Sequence, residues 1–142
     1  MAILRVQWVH FSIEGETCPR CAETGQEVKR AVHMLQEALS PLGVKVELEE
    51  VELTPEEFSR NPLRSNEIRL NGTLLEEWLQ ASTTQTRCCD VCGDVDCRAV
   101  EVEEQIHEII PAELIVKAGL LAAAQAIEKE KPCCTSDSAC CP

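Results

Sequence analysis

Basic residues are scarce in this chain, and it contains no long apolar run. Its 142 residues include 13 Lys and Arg against 25 Asp and Glu, which gives a formal net charge of −12. Such a surface repels phosphate backbones and anionic lipids, so neither nucleic acid nor a membrane is expected as a main partner. No apolar run approaches the roughly 20 residues that cross a bilayer, and residues 1–11 lack the pattern of a secretory signal. We therefore expect a cytoplasmic protein.

Several common catalytic patterns are also missing. The sequence contains no Ser-His-Asp arrangement, no phosphate-binding glycine loop and no carboxylate pair with evident acid–base geometry. Its three histidines, His10, His33 and His107, lie in strand or helix patterns away from the cysteine motifs. Each is therefore expected to be structural rather than a metal ligand, and no organic cofactor is predicted.

Cysteine, in contrast, is abundant. A reducing cytosol keeps most thiols free, so grouped cysteines favour metal binding or redox chemistry over structural disulfides. The ten cysteines form three groups, which are Cys18 and Cys21, then Cys88, Cys89, Cys92 and Cys97, and finally Cys133, Cys134, Cys140 and Cys141.

The hydrophobic pattern predicts one α/β domain over residues 1–131 and a flexible tail at residues 132–142. Apolar residues on both faces of residues 3–10 predict a central strand that is buried on two sides. Apolar residues at helical spacing between positions 28 and 42 predict a helix that ends near Pro41 and Gly43. The alternation of apolar and polar residues in 44–49 predicts a strand with one solvent-exposed face. The order strand, helix, strand favours a parallel pair of strands.

The second half of the chain is expected to add shorter elements. Residues 54–65 carry a helix cap and two prolines but few large apolar residues, so this segment is expected to link rather than pack. The other expected elements are a strand at 67–70 that enters a tight turn at Asn71-Gly72, a short helical turn at 74–79, a hairpin of 98–102 and 106–110 across Glu103-Glu104, and a last helix that starts at Pro111.

Cys18 and Cys21 form a C-x-x-C motif at the predicted start of the first helix. There the unpaired amides and the positive end of the helix dipole stabilise a thiolate, and Arg20 adds positive charge between the two sulfurs. A thiolate is both the nucleophile of disulfide exchange and a ligand for soft metals. The pair is a candidate catalytic or metal-ligating site, with two ordinary buried cysteines as the alternative.

The order of strand, Cys18-Pro19-Arg20-Cys21, helix and strand, followed by Leu70-Asn71-Gly72, resembles the thioredoxin-like superfamily in its glutaredoxin-like arrangement. In particular, the chain is similar to a small uncharacterised prokaryotic thioredoxin-like family with a Cys-rich loop ending in Cys-Arg, here Cys97-Arg98, and a closing Pro-Ala-Glu-Leu-Ile helix, here residues 111–115. The resemblance spans about residues 3–120. It implies a mixed sheet with flanking helices and an inserted Cys-rich loop at residues 87–98. It implies no established function.

One feature of the superfamily is missing. Thioredoxin-like oxidoreductases carry a cis-proline just before the hairpin strand, facing the C-x-x-C motif. The corresponding place here is Ser65-Asn66, because Pro62 comes too early. That proline shapes the substrate groove and hinders metal binding by the two sulfurs. Its absence weakens the expectation of disulfide exchange and favours a ligated ion.

Four cysteines lie within residues 88–97. Cys89 and Cys92 have the spacing of a zinc knuckle, in which two sulfurs from one tight turn reach one ion, and Cys97 can supply a third ligand. The fourth is Cys88, or a sulfur of the C-x-x-C motif if the loop folds over the helix start. A loop that is merely rich in cysteine is the alternative.

The tail contains two Cys-Cys pairs, Cys133-Cys134 and Cys140-Cys141, around a polar spacer. Neighbouring cysteines form strained disulfides and tend to stay as dithiols, which suits capture of a thiophilic ion such as As(III), Hg(II), Cu(I) or Cd(II). The tail is expected to pick up such an ion and pass it to the folded site. A dispensable tail is the alternative.

These observations lead to three hypotheses. In the first, a thioredoxin-like protein binds a soft metal or metalloid ion between Cys18 and Cys21 and the loop at 88–97, for resistance, carriage or sensing, with zinc expected in the purified protein. In the second, it is a thiol-disulfide oxidoreductase in which Cys18 attacks, Cys21 resolves, the loop cysteines form a relay pair, and the partner is a thiol or disulfide protein. In the third, it is an interaction domain with a structural zinc loop.

Overall fold

The main sheet is built around the first strand of the chain. A computed structural model describes residues 2–13, 16–17, 19–87 and 96–129. Strand β1 (Ala2–Ile13) pairs antiparallel at its end with the short β2 (Glu16–Thr17) and pairs in parallel with β3 (Val44–Leu53) over most of its length. Strand β4 (Ile68–Leu70) pairs antiparallel with β1, and β5 (Thr73–Leu74) pairs antiparallel with β4. The resulting order is β3, β1, β4, β5.

Strand β1 is central, as predicted, but it is buried on both faces only in its second half. Leu4 and Val6 are fully buried on one face, whereas Ile3 on the other face is 42% exposed. Val9 and Phe11 of that second face become buried further along the strand. The prediction of two-sided burial is therefore wrong for the first half of β1, because no described helix covers the side chains that alternate with Leu4 and Val6 there.

Helix α1 (Pro19–Leu39) joins β1 to β3 and gives the predicted parallel pair. Proline suits the first helical position because its missing amide would be unpaired there in any case. Val28, Val32 and Leu35 lie one helical repeat apart and pack in the main core. The helix ends as predicted, because a tight turn at Ser40–Leu42 leads to Gly43, which has φ of +75°.

Helix α2 (Pro55–Arg60) begins with a complete capping box at Thr54. The hydroxyl of Thr54 accepts from the amide of Glu57, and the Glu57 carboxylate accepts from the amide of Thr54. Phe58 of this helix is 5% exposed, and its ring stacks on that of Phe11 with centroids 4.0 Å apart. The prediction that residues 54–65 link rather than pack is therefore wrong, since one aromatic side chain is enough to anchor the segment.

A second sheet, of three strands, follows the short helix α3 (Leu75–Leu79). This helix was predicted. The strands of the second sheet are β6 (Ser82–Arg87), β7 (Asp96–Val102) and β8 (Gln105–His107), all paired antiparallel in that order. The predicted hairpin of β7 and β8 is confirmed, and Glu103 and Glu104 form its turn with φ of 50° and 69°. Strand β6 was not predicted, because its polar sequence lacks apolar alternation.

Helix α4 (Ala112–Lys129) closes the fold and packs against α1, α3 and β1. It begins one residue after the predicted start at Pro111. Its Gly119 allows a close approach to α1, because a Cβ there would lie 2.6 Å from a methyl carbon of Leu35. Among the residues that the structure describes, no helix is both long and apolar enough to cross a membrane. The architecture is α/β with a mixed sheet and flanking helices.

Candidate functional site

The candidate site lies where helix α1 begins, beside the ends of β1 and β3. Cys21, in the first turn of α1, is 1% exposed, and Cys97, near the start of β7, is 2% exposed. Both belong to one buried cluster whose other members are Val9, Phe11, Leu53 and Phe58. The structure thus brings together one cysteine of the C-x-x-C motif and the last cysteine of the Cys-rich loop, although they are far apart in sequence.

The two ends of the Cys-rich segment are held side by side by strand pairing. In the register of β6 and β7, Thr86 lies opposite Cys97, and Arg87 lies opposite Asp96. Residues 88–95 connect these two strand ends. Most of the predicted ligands fall outside the described residues, namely Cys18, Cys88, Cys89, Cys92 and the tail cysteines Cys133, Cys134, Cys140 and Cys141.

Arg20, between the two cysteines of the motif, joins the helix start to the Cys-rich segment. Its side chain is 8% exposed. The guanidinium donates from Nη1 to the carbonyl of Arg87 at 3.2 Å, and from Nη2 to the carbonyls of Cys97 at 3.2 Å and Arg98 at 2.6 Å. It also donates from Nε to the carbonyl of Glu108 at 3.2 Å. One side chain therefore contacts both ends of the segment that contains the loop cysteines.

Arg98, the neighbour of Cys97, is a second buried arginine, and its charge is balanced differently. Its guanidinium donates to the carboxylate of Glu76 and lies 3.6 Å from that of Glu67, and both carboxylate side chains are 5% exposed. Its Nε donates to the carbonyl of Leu63 at 2.6 Å. These contacts fix β7 against α3 and against the segment before β4. Sequence reasoning missed this network, because its members are widely separated in the chain and carry no common motif.

Ser65 is the polar side chain that faces Cys21. Its hydroxyl oxygen lies 3.1 Å from the Cys21 sulfur, and Ser65 is fully buried. The backbone beside it is fixed on β1, since the Asn66 amide donates to the carbonyl of Val9 at 2.8 Å and the Val9 amide donates to the carbonyl of Glu67 at 2.9 Å. The sequence placed Ser65-Asn66 opposite the C-x-x-C motif, and the contact with Cys21 agrees with that placement. Among the described residues there is no cis peptide bond.

His10 and His33 make other contacts. The ring of His10 stacks on that of Trp8 with centroids 4.5 Å apart, and His33 pairs with Glu37 on the surface of α1. Within residues 2–13, 16–17, 19–87 and 96–129, no three His, Cys, Asp or Glu side chains are grouped so as to hold a metal ion. The described part of the site thus supplies Cys21 and Cys97, and a complete ligand set stays a prediction that depends on the other cysteines.

The chemistry of this arrangement is that of buried sulfur in an apolar cluster. Cys21 lies in the first turn of a 21-residue helix, and the Arg20 guanidinium donates to the backbone carbonyl of Cys97. The apolar side chains of Val9 and Phe58 exclude water, and the Ser65 hydroxyl can donate a hydrogen bond to sulfur. Such sulfur atoms can take part in disulfide exchange or serve as ligands of a soft ion.

Comparison with known proteins identifies the family and assigns no activity to it. Residues 4–119 match the family described as "Domain of unknown function (DUF2703)". An uncharacterized protein of Archaeoglobus fulgidus is 59% identical over 112 residues, which cover 79% of this chain and 82% of that protein. No solved structure matches the chain. On the extent of these matches, the chain belongs to the DUF2703 family.

Proposed function

We propose that this protein binds a soft metal or metalloid ion between the start of α1 and the Cys-rich segment, and so serves metal or metalloid resistance, carriage or sensing in a reducing compartment. The observation that carries the proposal is the burial of Cys21 and Cys97 in one cluster, with Arg20 bound to both ends of the segment between β6 and β7. The expected ligands are Cys21 and Cys97 together with Cys18 and the loop cysteines Cys88, Cys89 and Cys92.

The strand order supports a thioredoxin-like fold as part of this proposal. Strand β1, helix α1 and strand β3 form a parallel unit, and the antiparallel β4 and β5 follow on the other edge of β1. A C-x-x-C motif at the start of the first helix and a closing helix, α4, complete the resemblance stated from the sequence. In this fold the helix start is the place where thiolate chemistry is carried out.

Ser65 favours metal binding over general disulfide exchange. The residue beside Cys21 is a serine whose hydroxyl contacts the sulfur, rather than the proline that keeps metals away from a C-x-x-C pair. A hydroxyl can donate to a metal-bound thiolate and so help to orient it, which is the usual role of groups around a metal ligand. Thiolate sulfur selects ions such as Zn(II), Cu(I), As(III) or Hg(II) over hard cations.

Elemental analysis of the anaerobically purified protein, with a free-thiol count before and after strong chelation, tests the proposal. We expect about one soft ion per chain, with thiols released by the chelator. Cys21→Ser and Cys97→Ser are each expected to lose the ion. The matched control replaces Cys133, Cys134, Cys140 and Cys141 by serine. This variant should keep the ion. If the tail delivers the ion, the variant should take it up more slowly than the wild type.

Two other results would each point to a different function. If no ion is found and a pair of thiols appears only after reduction, the protein is an oxidoreductase in which Cys18 attacks a substrate disulfide and Cys21 resolves the mixed disulfide. The burial of Cys21 suits that resolving role as well. A third result has three parts: an ion is found, the Cys21→Ser variant keeps it, and removal of the ion unfolds the chain. In that case the loop is a structural zinc site on an interaction domain.

A further inference from the structure

A cleft lies between helix α1 and the strands β1 and β3. Its volume is about 290 Å³, near the lower end of the range for pockets that bind small molecules. Seven residues from these three elements line the cleft, and all seven lie in the described part of the chain. None of the seven is a cysteine, so the chemistry of the cleft is separate from that of the thiols.

Two stacked aromatic rings form the strand side of the cleft. Trp8 and His10 alternate with buried residues of the opposite face along β1, and their ring centroids are 4.5 Å apart. The indole Nε1 of Trp8 donates to Oδ1 of Asn66 at 3.3 Å, so Trp8 offers the cleft only carbon atoms. On the side of α1, Ala22 and Gly25 contribute little side chain. A short hydrocarbon group can therefore pack against the rings.

Two uncharged polar side chains, those of His10 and Gln26, also line the cleft. The Nδ1 of His10 is buried and has no hydrogen-bond partner among the described residues. A buried nitrogen cannot reach a ligand, which leaves Nε2 as the ring nitrogen that can. The Gln26 side chain is exposed, and its amide can both donate and accept. The cleft thus combines an apolar surface with a few polar groups, as small-molecule sites do.

Opposite charges lie on the two walls of the cleft. Lys29 is on α1, and Glu50 is on β3, where it lies opposite Trp8 in the strand register. Both residues are exposed, and within the part of the chain that the structure describes neither of them forms an ion pair. Lys45 and Glu47, earlier on β3, pair with each other at 3.3 Å instead. An unpaired cation and an unpaired anion therefore line one small volume.

We propose that this cleft binds the zwitterion of a small apolar α-amino acid, with the ligand carboxylate at Lys29 and the ligand ammonium group at Glu50. The hydrocarbon side chain of the ligand packs against Trp8 and His10. A ligand with charge of one sign would pair with one wall and be repelled by the other. The net charge of −12 repels simple anions further. The inference goes beyond the proposed function and does not depend on it, because no thiol or metal ion takes part.

NMR titration of the full chain with L-leucine tests the proposal. The indole N–H signals of the two tryptophans are the reporters, since Trp8 lines the cleft and Trp78 donates to the carbonyl of Leu70. We expect the Trp8 signal to shift with a Kd of about 1 mM or below, and the Trp78 signal to stay unchanged. An unchanged Trp8 signal at millimolar L-leucine would overturn the proposal.

Two analogues of leucine test the recognition of both charges. L-Leucinamide lacks the carboxylate, and 4-methylpentanoate lacks the ammonium group, while both keep the hydrocarbon side chain. Each should bind at least about tenfold more weakly than L-leucine, because each loses one charge-assisted hydrogen bond and meets one repelling charge. Equal affinities for the three compounds would show that the cleft does not select a zwitterion.

Lys29→Gln and Glu50→Gln assign the two charged groups. Both side chains are exposed, so the variants should fold, and each should bind L-leucine about tenfold more weakly than the wild type does. Lys29→Gln should bind L-leucinamide at least as tightly as the wild type does, because the repelling charge is gone. The matched controls are Lys117→Gln on α4 and Glu56→Gln on α2, both at exposed positions. Leucine affinities in the two cleft variants that equal those of the controls would overturn the proposal.

Discussion

The hydroxyl oxygen of Ser65 lies 3.1 Å from the sulfur of Cys21, and both side chains are buried. The contact joins the first turn of α1 to the segment that crosses the end of β1. It places a hydroxyl, which can donate a hydrogen bond, at a sulfur that the proposed function makes a metal ligand. The backbone of Ser65 has φ of −63°, and its amide donates to the carbonyl of Pro62 at 3.1 Å.

Replacement of Ser65 by alanine should weaken the site without unfolding the protein. Loss of the hydroxyl removes a donor to the Cys21 sulfur, and we expect soft-ion affinity to fall by about tenfold. Stability should fall by about 1 kcal/mol, the usual value of one hydrogen bond. Isothermal titration with Zn²⁺ and urea unfolding measure the two effects. Ser59→Ala, on the exposed face of α2, is the control, and equal zinc affinities for the two variants would contradict the role of Ser65.

Removal of one buried carboxylate from the Arg98 network should strongly destabilise the fold. Glu76→Gln leaves the Arg98 guanidinium buried without its closest anion, and breaking such a pair costs about 3–5 kcal/mol. Glu47→Gln is the matched control, because Glu47 pairs with the exposed Arg5, and its loss should cost less than about 1 kcal/mol. Urea unfolding of both variants measures the difference. Similar losses for the two would show that the buried network does not stabilise β7 against α3.

A methyl group at Gly25 should be less well tolerated than one at Gly119. A Cβ at Gly25 would overlap an atom of the Trp8 ring, whereas a Cβ at Gly119 would meet the end of the Leu35 side chain at 2.6 Å. The rigid indole cannot turn aside as a leucine methyl can, and overpacking costs about 1–3 kcal/mol. We expect Gly25→Ala to lower the thermal midpoint more than Gly119→Ala. The reverse order would contradict the packing of Trp8 against α1.

The capping box of α2 makes a small, pH-dependent contribution to stability. The Thr54 backbone amide, followed by the Thr54 hydroxyl, lowers the pKa of Glu57 below its usual value. Because the folded pKa is the lower one, the contribution is present above the unfolded pKa and is lost as pH falls through the folded pKa. Thr54→Ala should raise the pKa of Glu57 in an NMR titration, while Thr54→Ser should not. Equal pKa values of Glu57 in the two variants would show that the Thr54 hydroxyl does not lower this pKa.

Much of the fold could be predicted from the sequence, because its first half follows simple periodicities. The alternation in β3, the helical spacing in α1 and the residues Pro41 and Gly43 at its end each act locally, so the sequence specifies them without knowledge of the rest. The hairpin at Glu103-Glu104 was found in the same way. Strand β6 was not predicted, because its pairing with β7 depends on the neighbouring strand rather than on the composition of β6 itself.

The candidate site could be predicted only in outline. The hypothesis that the helix start and the Cys-rich segment form one site stays a prediction, and the structure shows that Cys21 and Cys97 lie in one cluster. The contacts of Arg20 with backbone carbonyls could not be predicted, because carbonyls carry no sequence signal. Phe58 was missed for a related reason, since a lone aromatic residue in a polar segment shows no periodicity, although it stacks on Phe11.

Under the proposed function, the pairing of Arg87 with Asp96 has a consequence for how ion preference could change. The two strand ends lie side by side in the folded chain, so an ion bound between them would close a loop whose ends are already joined, at little further cost in loop-closure entropy. Altering the number or spacing of the cysteines between β6 and β7 would then alter which ion is preferred, without requiring a change in the pairing of the two strands.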